Sequence, residues 1–298
     1  MHSELNWQNL HPTFHDLGDA TLAVRQIGNG PDVLFVHGVP THGYTWRHLA
    51  AALAPEFRCW LVDLPGFGDA RWTDRTDFRF VAQAQRLAAL VDRLGLDRFA
   101  VVAHDTGATI ARLLALNLGA RVTGLTIINT EIPGHRPPWI RMFQATGALP
   151  GAALGFQLLL KARWLRHSGM GFGGCLMDPA ALDGEFHTAY VEPLLRDRRR
   201  MQGMINYLRG IQWDVVDGMA TNHGKIAAPV LALWGENDPT FPVDVAERMR
   251  PQFRELVGFH RIANARLLPH EDQPDEVLKH LRPFLRQVCG EQRRSAAA

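Results

Sequence analysis

The chain has 298 residues, 46% of them hydrophobic and 21% charged, so a packed core can form and whole-chain disorder, collagen-like repeats and coiled coils are excluded. Lysine and arginine number 32 against 30 aspartates and glutamates, and the net charge of +2 argues against a nucleic acid partner. At this length we expect one core of roughly 200 residues with an insertion.

The sequence carries no sign of secretion or membrane insertion. Its three cysteines, Cys59, Cys175 and Cys289, are far apart and do not form the spacing of a disulfide framework. The first residues lack the layout of a signal peptide, and the apolar stretch 147–160 is too short to span a bilayer. We therefore expect a cytoplasmic protein without a membrane partner.

Short apolar runs alternate with helix-period segments along the first half of the chain. Strands are predicted at 33–36, 60–62, 99–103, 125–128 and 230–234, and helices at 46–53, 81–94 and 109–118. This alternation predicts an α/β fold, a mainly parallel sheet with helices on both faces.

The alternation stops after Gly134 and resumes at Ala228, and the intervening apolar spacing is helical. We predict a core of residues 1–132 and 226–292, an inserted helical cap at 133–225 and a disordered tail at 293–298. Such a cap would close a dry pocket over the carboxyl ends of the strands.

One segment has the layout of a nucleophile elbow. The residues V-V-A-H-D-T-G-A at 101–108 run from a predicted strand through a tight turn into a helix. Asp105 holds the position that serine holds in G-x-S-x-G, so the pattern predicts an aspartate nucleophile. The competing interpretation of Asp105 is a helix N-cap.

These motifs resemble those of the epoxide hydrolase and haloalkane dehalogenase group of α/β-hydrolases, in which H-D-x-G carries an aspartate nucleophile. The H-G-V-P turn at 37–40 is similar to the H-G-x-P turn of the same group. The resemblance covers nearly the whole chain and implies the α/β-hydrolase fold. It also implies a cis bond before Pro40 and an oxyanion hole made by the backbone N–H groups of Val39 and Thr106.

The rest of a catalytic triad is predicted late in the chain. The segment 231–239 matches the group's W-G-x-x-D-P, which implies that Asp238 orients the catalytic histidine. An ungapped match to the group's G-H-x-x-x-E-x-x-P sets Leu267 where the histidine is expected. We expect Pro269 to re-route this turn so that His270 serves as the base, and without that shift the triad is broken.

A carboxylate nucleophile suits attack at a saturated carbon, which gives an alkyl ester that water then cleaves. Haloalkane dehalogenases of the group usually hold the halide with a tryptophan and an asparagine, where this chain has Thr106 and Val39. Epoxide hydrolases use two lid tyrosines, and this lid offers Tyr190 and Tyr207. The resemblance therefore favours hydrolysis of an apolar epoxide.

Two alternatives stay open, a haloalkane dehalogenase and a non-catalytic ligand-binding α/β-hydrolase, for which Leu267 is the best argument. The substrate pocket candidates flank the two key turns or lie in and near the cap: His37, His104, Glu131, His135, Trp139, Tyr190 and Tyr207. For the cap aromatics the competing interpretation is core packing.

We expect no metal, because no ligand spacing for one appears, and no cofactor. The expected partners are a small apolar organic substrate and water, with a homodimer as the candidate assembly.

Overall fold

The structure, a computed structural model, describes residues 7–169 and 171–295, of which 291–295 are described as backbone. Its centre is a nine-stranded sheet. The strands are β1 (Thr13–Asp16), β2 (Ala20–Ile27), β3 (Asp32–Val36), β4 (Arg58–Asp63), β5 (Arg71–Trp72), β6 (Phe99–His104), β7 (Val122–Ile128), β8 (Val230–Gly235) and β9 (Leu256–Ile262).

The strand order is β1-β2-β4-β3-β6-β7-β8-β9, with β5 beside β2. Strands β4, β3, β6, β7, β8 and β9 pair in parallel, whereas β1, β2 and β5 are antiparallel. The predicted α/β-hydrolase fold, with its mainly parallel sheet, is confirmed. The antiparallel edge was not predicted.

Helices cover both faces because the central strands are apolar on both faces. In β3, Val33 and Phe35 pack towards α1 (Arg47–Leu53) and α12 (Pro274–Ser295). The alternating residues Leu34 and Val36 pack on the other face, towards α2 (Phe80–Arg93) and α3 (Thr106–Leu118). Because helices pack on both faces of the central strands, the carboxyl ends of these strands are held in fixed positions. The side chains described in the next subsection project from these ends.

The segment between β7 and β8 is helical. It contains α4 (Pro138–Thr146), α5 (Ala152–Lys161), α6 (Arg163–Arg166), α7 (Glu192–Arg196), α8 (Arg198–Arg209) and α9 (Trp213–Asn222). We call residues 133–229 the inserted segment. The two short helices α10 (Val243–Ala246) and α11 (Pro269–Asp272) follow β8 and β9 respectively.

The chain end differs from the expectation. Helix α12 continues through Ser295, so residues 293–295 are helical and the predicted disorder is wrong there. The part of that prediction on 296–298 lies outside the described residues. Within the described part of the chain, no helix has the length and apolarity needed to cross a membrane.

Candidate active site

Asp105 stands at the turn between β6 and α3, in a backbone conformation that side chains rarely adopt. Its φ is 52° and its ψ is −132°. The backbone N–H of Asp105 donates to the carbonyls of Ile128 (3.0 Å) and Asn129 (2.9 Å), which tie the turn to the end of β7. At Gly107 a Cβ would lie 2.2 Å from the carbonyl oxygen of His37. Only glycine therefore lets the turn at Asp105 pack against the turn that begins at His37. A strained turn of this kind projects its side chain away from the sheet.

Backbone amides surround the Asp105 carboxylate. The N–H of Val39 donates to Oδ2 over 2.8 Å, and the N–H of Thr106 also bonds to the carboxylate. The Val39–Pro40 bond is cis, as the resemblance implied. The close approach requires a glycine at position 38, because a Cβ there would lie 2.4 Å from Oδ2. The two amides predicted for the oxyanion hole thus both point at this carboxylate.

Burial makes the Asp105 carboxylate costly to ionise. The side chain is buried, and this raises its pKa well above the usual range. The negative charge of Glu131 raises the pKa of Asp105 further, while the bond from Val39 opposes the shift. Asp105 therefore ionises at a higher pH than an exposed aspartate does.

Glu131 lies in a fully buried network behind the turn. Its Oε2 accepts from the hydroxyls of Thr109 (2.5 Å) and Thr130 (3.0 Å). Arg112 donates to both hydroxyl oxygens, over 2.6 and 3.0 Å, and to the Glu131 carbonyl over 3.1 Å. Burial raises the pKa of Glu131. The predicted cavity position of Glu131 is thus corrected, since it does not line the cavity and instead supports the start of α3.

Asp238 follows β8, where the sequence predicted it. Its Oδ2 accepts from the Asn129 side chain over 2.7 Å, and its Oδ1 accepts from the Thr240 N–H over 2.7 Å. The Asn129 amide is itself fixed, because its oxygen accepts from the N–H of Gly235 over 2.8 Å. Burial raises the pKa of Asp238 to about 7. Among the described residues, no imidazole bonds to this carboxylate.

His270 does not join these acids. Helix α11 begins at Pro269, and the next side chain packs beside the start of α1, with its ring stacked on Trp46 at 4.5 Å between centroids. Its Nε2 lies 2.8 Å from the Thr45 hydroxyl. That hydroxyl donates to Glu271, so the imidazole donates to Thr45 through its Nε2–H.

This geometry corrects the expectation that Pro269 would bring His270 to the nucleophile. Neither Asp105 nor Asp238 is among its described hydrogen-bond partners, and burial lowers the pKa of His270 well below the usual range. Leu267 lines the cavity instead, as the ungapped match placed it. Its carbonyl accepts from Nε2 of His104 over 2.8 Å.

His37, His104 and His135 form hydrogen bonds to backbone groups and do not line the cavity. This corrects their assignment as pocket residues. His37 accepts from the N–H of Leu64 over 2.9 Å, and burial lowers its pKa to about 4. Burial lowers the pKa of His104 to about 3. His135 bonds to the Thr240 carbonyl over 2.9 Å. His37 and His104 are therefore neutral near pH 7.

A cavity of about 780 Å³ opens above Asp105. Its volume is in the usual range for a small-molecule site. The core contributes Asp105, Thr106 and Leu267, and Trp139 from the inserted segment also lines the cavity. The remaining wall is mostly apolar and comes chiefly from the inserted segment: Ile140, Phe143, Leu149, Phe156, Leu159, Phe172, Met204 and Ile205. The described lining contains no histidine and no tyrosine.

Tyr190 and Tyr207, which were predicted to line the substrate pocket, lie in different surroundings, and neither of them lines the cavity. The Tyr190 hydroxyl donates to Glu271 over 3.1 Å, away from the nucleophile. The Tyr207 hydroxyl lies 3.2 Å from Thr106 Oγ1, which in turn lies 3.4 Å from Asp105 Oδ2. Tyr207 is therefore connected to the Asp105 carboxylate through the Thr106 hydroxyl.

The sequence matches known proteins over most of its length. A family profile for the alpha/beta hydrolase fold matches residues 31–272. Human epoxide hydrolase 4 is 26% identical over 276 residues, covering 86% of this chain and 73% of that protein. Haloalkane dehalogenase 2 of Mycobacterium bovis is 25% identical over 272 residues, covering 84% and 86%.

Solved structures agree in fold. A ligand-free epoxide hydrolase, CorEH, superposes with a TM-score of 0.78 at 21% identity, covering 94% of this chain and 100% of that one. The haloalkane dehalogenase DbeA of Bradyrhizobium elkani gives 0.73 at 22% identity, covering 97% and 100%. Together with the sequence matches, these likenesses support a hydrolytic enzyme.

Proposed function

The chain belongs to the alpha/beta hydrolase fold family, and from that premise we propose that Asp105 is the nucleophile of a hydrolase acting on apolar epoxides. One observation carries the proposal. The Asp105 carboxylate is held by the Val39 N–H at 2.8 Å and is also among the residues that line the apolar cavity. A carboxylate so placed attacks a saturated carbon, whereas a serine at this position would attack a carbonyl.

The first step forms an alkyl ester. An Asp105 oxygen bonds to one ring carbon as the bond from that carbon to the epoxide oxygen breaks. The epoxide oxygen becomes an alkoxide and takes the proton of the Thr106 hydroxyl, which in the free protein donates to Tyr207 over 3.2 Å. The Tyr207 hydroxyl then turns to return a proton to Thr106, and a solvent proton restores Tyr207 before the second step. This hydroxyl pair supports the epoxide assignment, because a displaced halide would need no proton.

In the second step water attacks the ester carbonyl. The oxyanion that forms there is stabilised by the N–H groups of Val39 and Thr106, which already bond to the carboxylate in the free protein. Collapse of this intermediate breaks the bond between the acyl carbon and the alkyl oxygen, which takes one proton of the attacking water and leaves as a hydroxyl of the diol. The second proton of that water is released to solvent, and Asp105 is regenerated as a carboxylate.

A haloalkane is the second candidate substrate, and one observation favours it. Trp139 lines the cavity, and an indole N–H can donate to a departing halide. The named relatives include both epoxide hydrolases and haloalkane dehalogenases. The cytoplasmic location and the homodimer stay predictions.

The test is a single turnover with enzyme in excess over a small aryl epoxide in water labelled with oxygen-18, followed by the masses of protein and product. We expect the Asp105 peptide to gain the whole epoxide mass, or the first diol to carry unlabelled oxygen, and Asp105→Ala to give neither. A first diol that carries one oxygen-18 atom from the solvent would overturn the proposal.

A bromoalkane run in parallel separates the alternatives. An alkyl adduct without bromine on Asp105, with no reaction of the epoxide, would make the protein a dehalogenase. Inertness towards both substrates in a folded protein would favour the ligand-binding alternative.

A further inference from the structure

We infer that the ester on Asp105 outlives the step that forms it, so that the protein captures apolar electrophiles nearly one per molecule and releases them slowly. This inference rests on the proposed function. It concerns the fate of the ester rather than its formation.

The described lining of the cavity offers no base that could activate water. Hydrolysis of the ester needs a base that removes a proton from the attacking water, and a positioned base commonly accelerates such a step by about 10²–10⁴-fold. Among the described lining residues, the ionisable side chains are Asp105, which the ester consumes, and Cys175. Burial raises the pKa of the Cys175 thiol, which therefore stays protonated near pH 7.

Leu267 lies in the cavity wall at the position where a base would be needed to activate water. It lines the cavity together with Asp105 and with Thr240, whose N–H bonds to Asp238. The Leu267 carbonyl is held by His104, so the loop is fixed with the apolar side chain in place. An isobutyl side chain neither accepts a proton nor orients a water molecule.

The nearby carboxylates of Asp238 and Glu131 do not reach the cavity. Asp238 accepts from the Asn129 side chain and from the N–H of Thr240, over 2.7 Å each, and does not line the cavity. Glu131 is bound on Oε2 by two hydroxyls and also stands outside the lining. Both lie close enough to raise the pKa of Asp105, but neither reaches the cavity surface.

His270 offers no substitute. Its imidazole is fully buried, stacks on Trp46 and donates to Thr45 over 2.8 Å. The amides of Val39 and Thr106 are therefore in position for forming the ester, while the described residues provide no base for cleaving it.

The experiment follows protein mass and diol release over time in the wild type after one equivalent of a small aryl epoxide. We expect the adduct to approach one per chain and the diol to appear at least about 100-fold more slowly than the adduct forms. Leu267→His should clear the adduct and raise diol release by about 100-fold, because the imidazole would stand beside Asp238. Leu267→Asn is the matched control, polar but not basic, and should keep the adduct.

Two results would overturn the inference while sparing the proposed function. One is a wild-type adduct that decays as fast as it forms, with unlabelled oxygen in the first diol. The other is a Leu267→Asn variant that clears the adduct as fast as Leu267→His, because polarity alone would then suffice. The absence of both adduct and diol in the wild type would instead refute the nucleophile itself. The wild-type measurement decides the question even if a variant fails to fold.

Discussion

The Nε2 atom of His270 lies 2.8 Å from the Thr45 hydroxyl, and this contact holds the imidazole at the start of α1. Its role there is structural, since the ring also stacks on Trp46. We expect His270→Ala to lower the free energy of unfolding by about 2–4 kcal/mol, because it leaves a cavity and removes the hydrogen bond that the Thr45 hydroxyl accepts. Denaturant unfolding measures this.

In the His270→Ala variant, the rate of ester formation on Asp105 should change by less than about threefold, because His270 does not line the cavity. A loss of adduct as complete as in Asp105→Ala would contradict the structural role.

The Glu131 charge should set the pH dependence of ester formation. Attack requires ionised Asp105, whose pKa is raised by burial and by Glu131, so the rate should rise with pH through that pKa. Glu131→Gln removes the charge and should move the rise to lower pH. Glu131→Asp keeps the charge and serves as the control. Rates of adduct formation across pH 5–10 would show the shift, and an unmoved profile in Glu131→Gln would contradict the coupling.

Tyr207 should matter for epoxides and not for halides. Its hydroxyl lies 3.2 Å from the Thr106 hydroxyl, which in the proposed mechanism gives up the proton to the alkoxide. Tyr207→Phe should slow adduct formation from an aryl epoxide by about 10²-fold and leave displacement of bromide unchanged. Tyr190→Phe is the matched control, because the Tyr190 hydroxyl donates to Glu271. Equal slowing of both substrates would point to loss of packing instead.

Asp238 should destabilise the fold as the pH rises. Burial raises the pKa of this group from 3.8 to about 7 in the folded protein, so the folded state holds a proton that the unfolded chain has lost between these values. The stability contributed by Asp238 is full below pH 3.8 and declines as the pH rises towards 7.

Asp238→Asn removes this dependence. The stability of the variant relative to the wild type should therefore increase from pH 4 to pH 7, by at most about 4 kcal/mol. Urea unfolding at several pH values measures the difference. A difference that stays constant with pH would show that Asp238 keeps its ordinary pKa.

Gly38 should tolerate no side chain. A Cβ at this position would lie 2.4 Å from Asp105 Oδ2, so Gly38→Ala must displace the carboxylate or the turn. Because small misplacements of a reacting group cost about 10²-fold in rate, we expect adduct formation to fall by at least that factor. Gly290→Ala on α12 is the control, since a Cβ there meets open space. Adduct formation at the wild-type rate in Gly38→Ala would contradict the close approach.

The elbow could be predicted from sequence because its signals are local. The apolar run 99–103, the small residues after Asp105 and the helix pattern beyond them fix the strand, turn and helix together. Asp238 was equally predictable, because the W-G-x-x-D-P match places it directly after a strand.

His270 and Glu131 could not be placed in this way. The direction of the His270 side chain depends on α11 beginning at Pro269 and on the space beside Trp46, which are tertiary features. The Glu131 network joins the end of β7 to Arg112 in the middle of α3. The available signal was a lone arginine three residues after Thr109 in an otherwise apolar helix, which indicates a buried partner.

The contact between Gly38 and the nucleophile also has a stereochemical consequence. One side of the Asp105 carboxylate is covered by the backbone of the 37–40 turn, so an incoming carbon arrives only from the cavity. The two enantiomers of a chiral epoxide would then approach the same fixed carboxylate oxygen within an asymmetric apolar cavity. They would react at unequal rates, and a racemic mixture would leave one enantiomer behind.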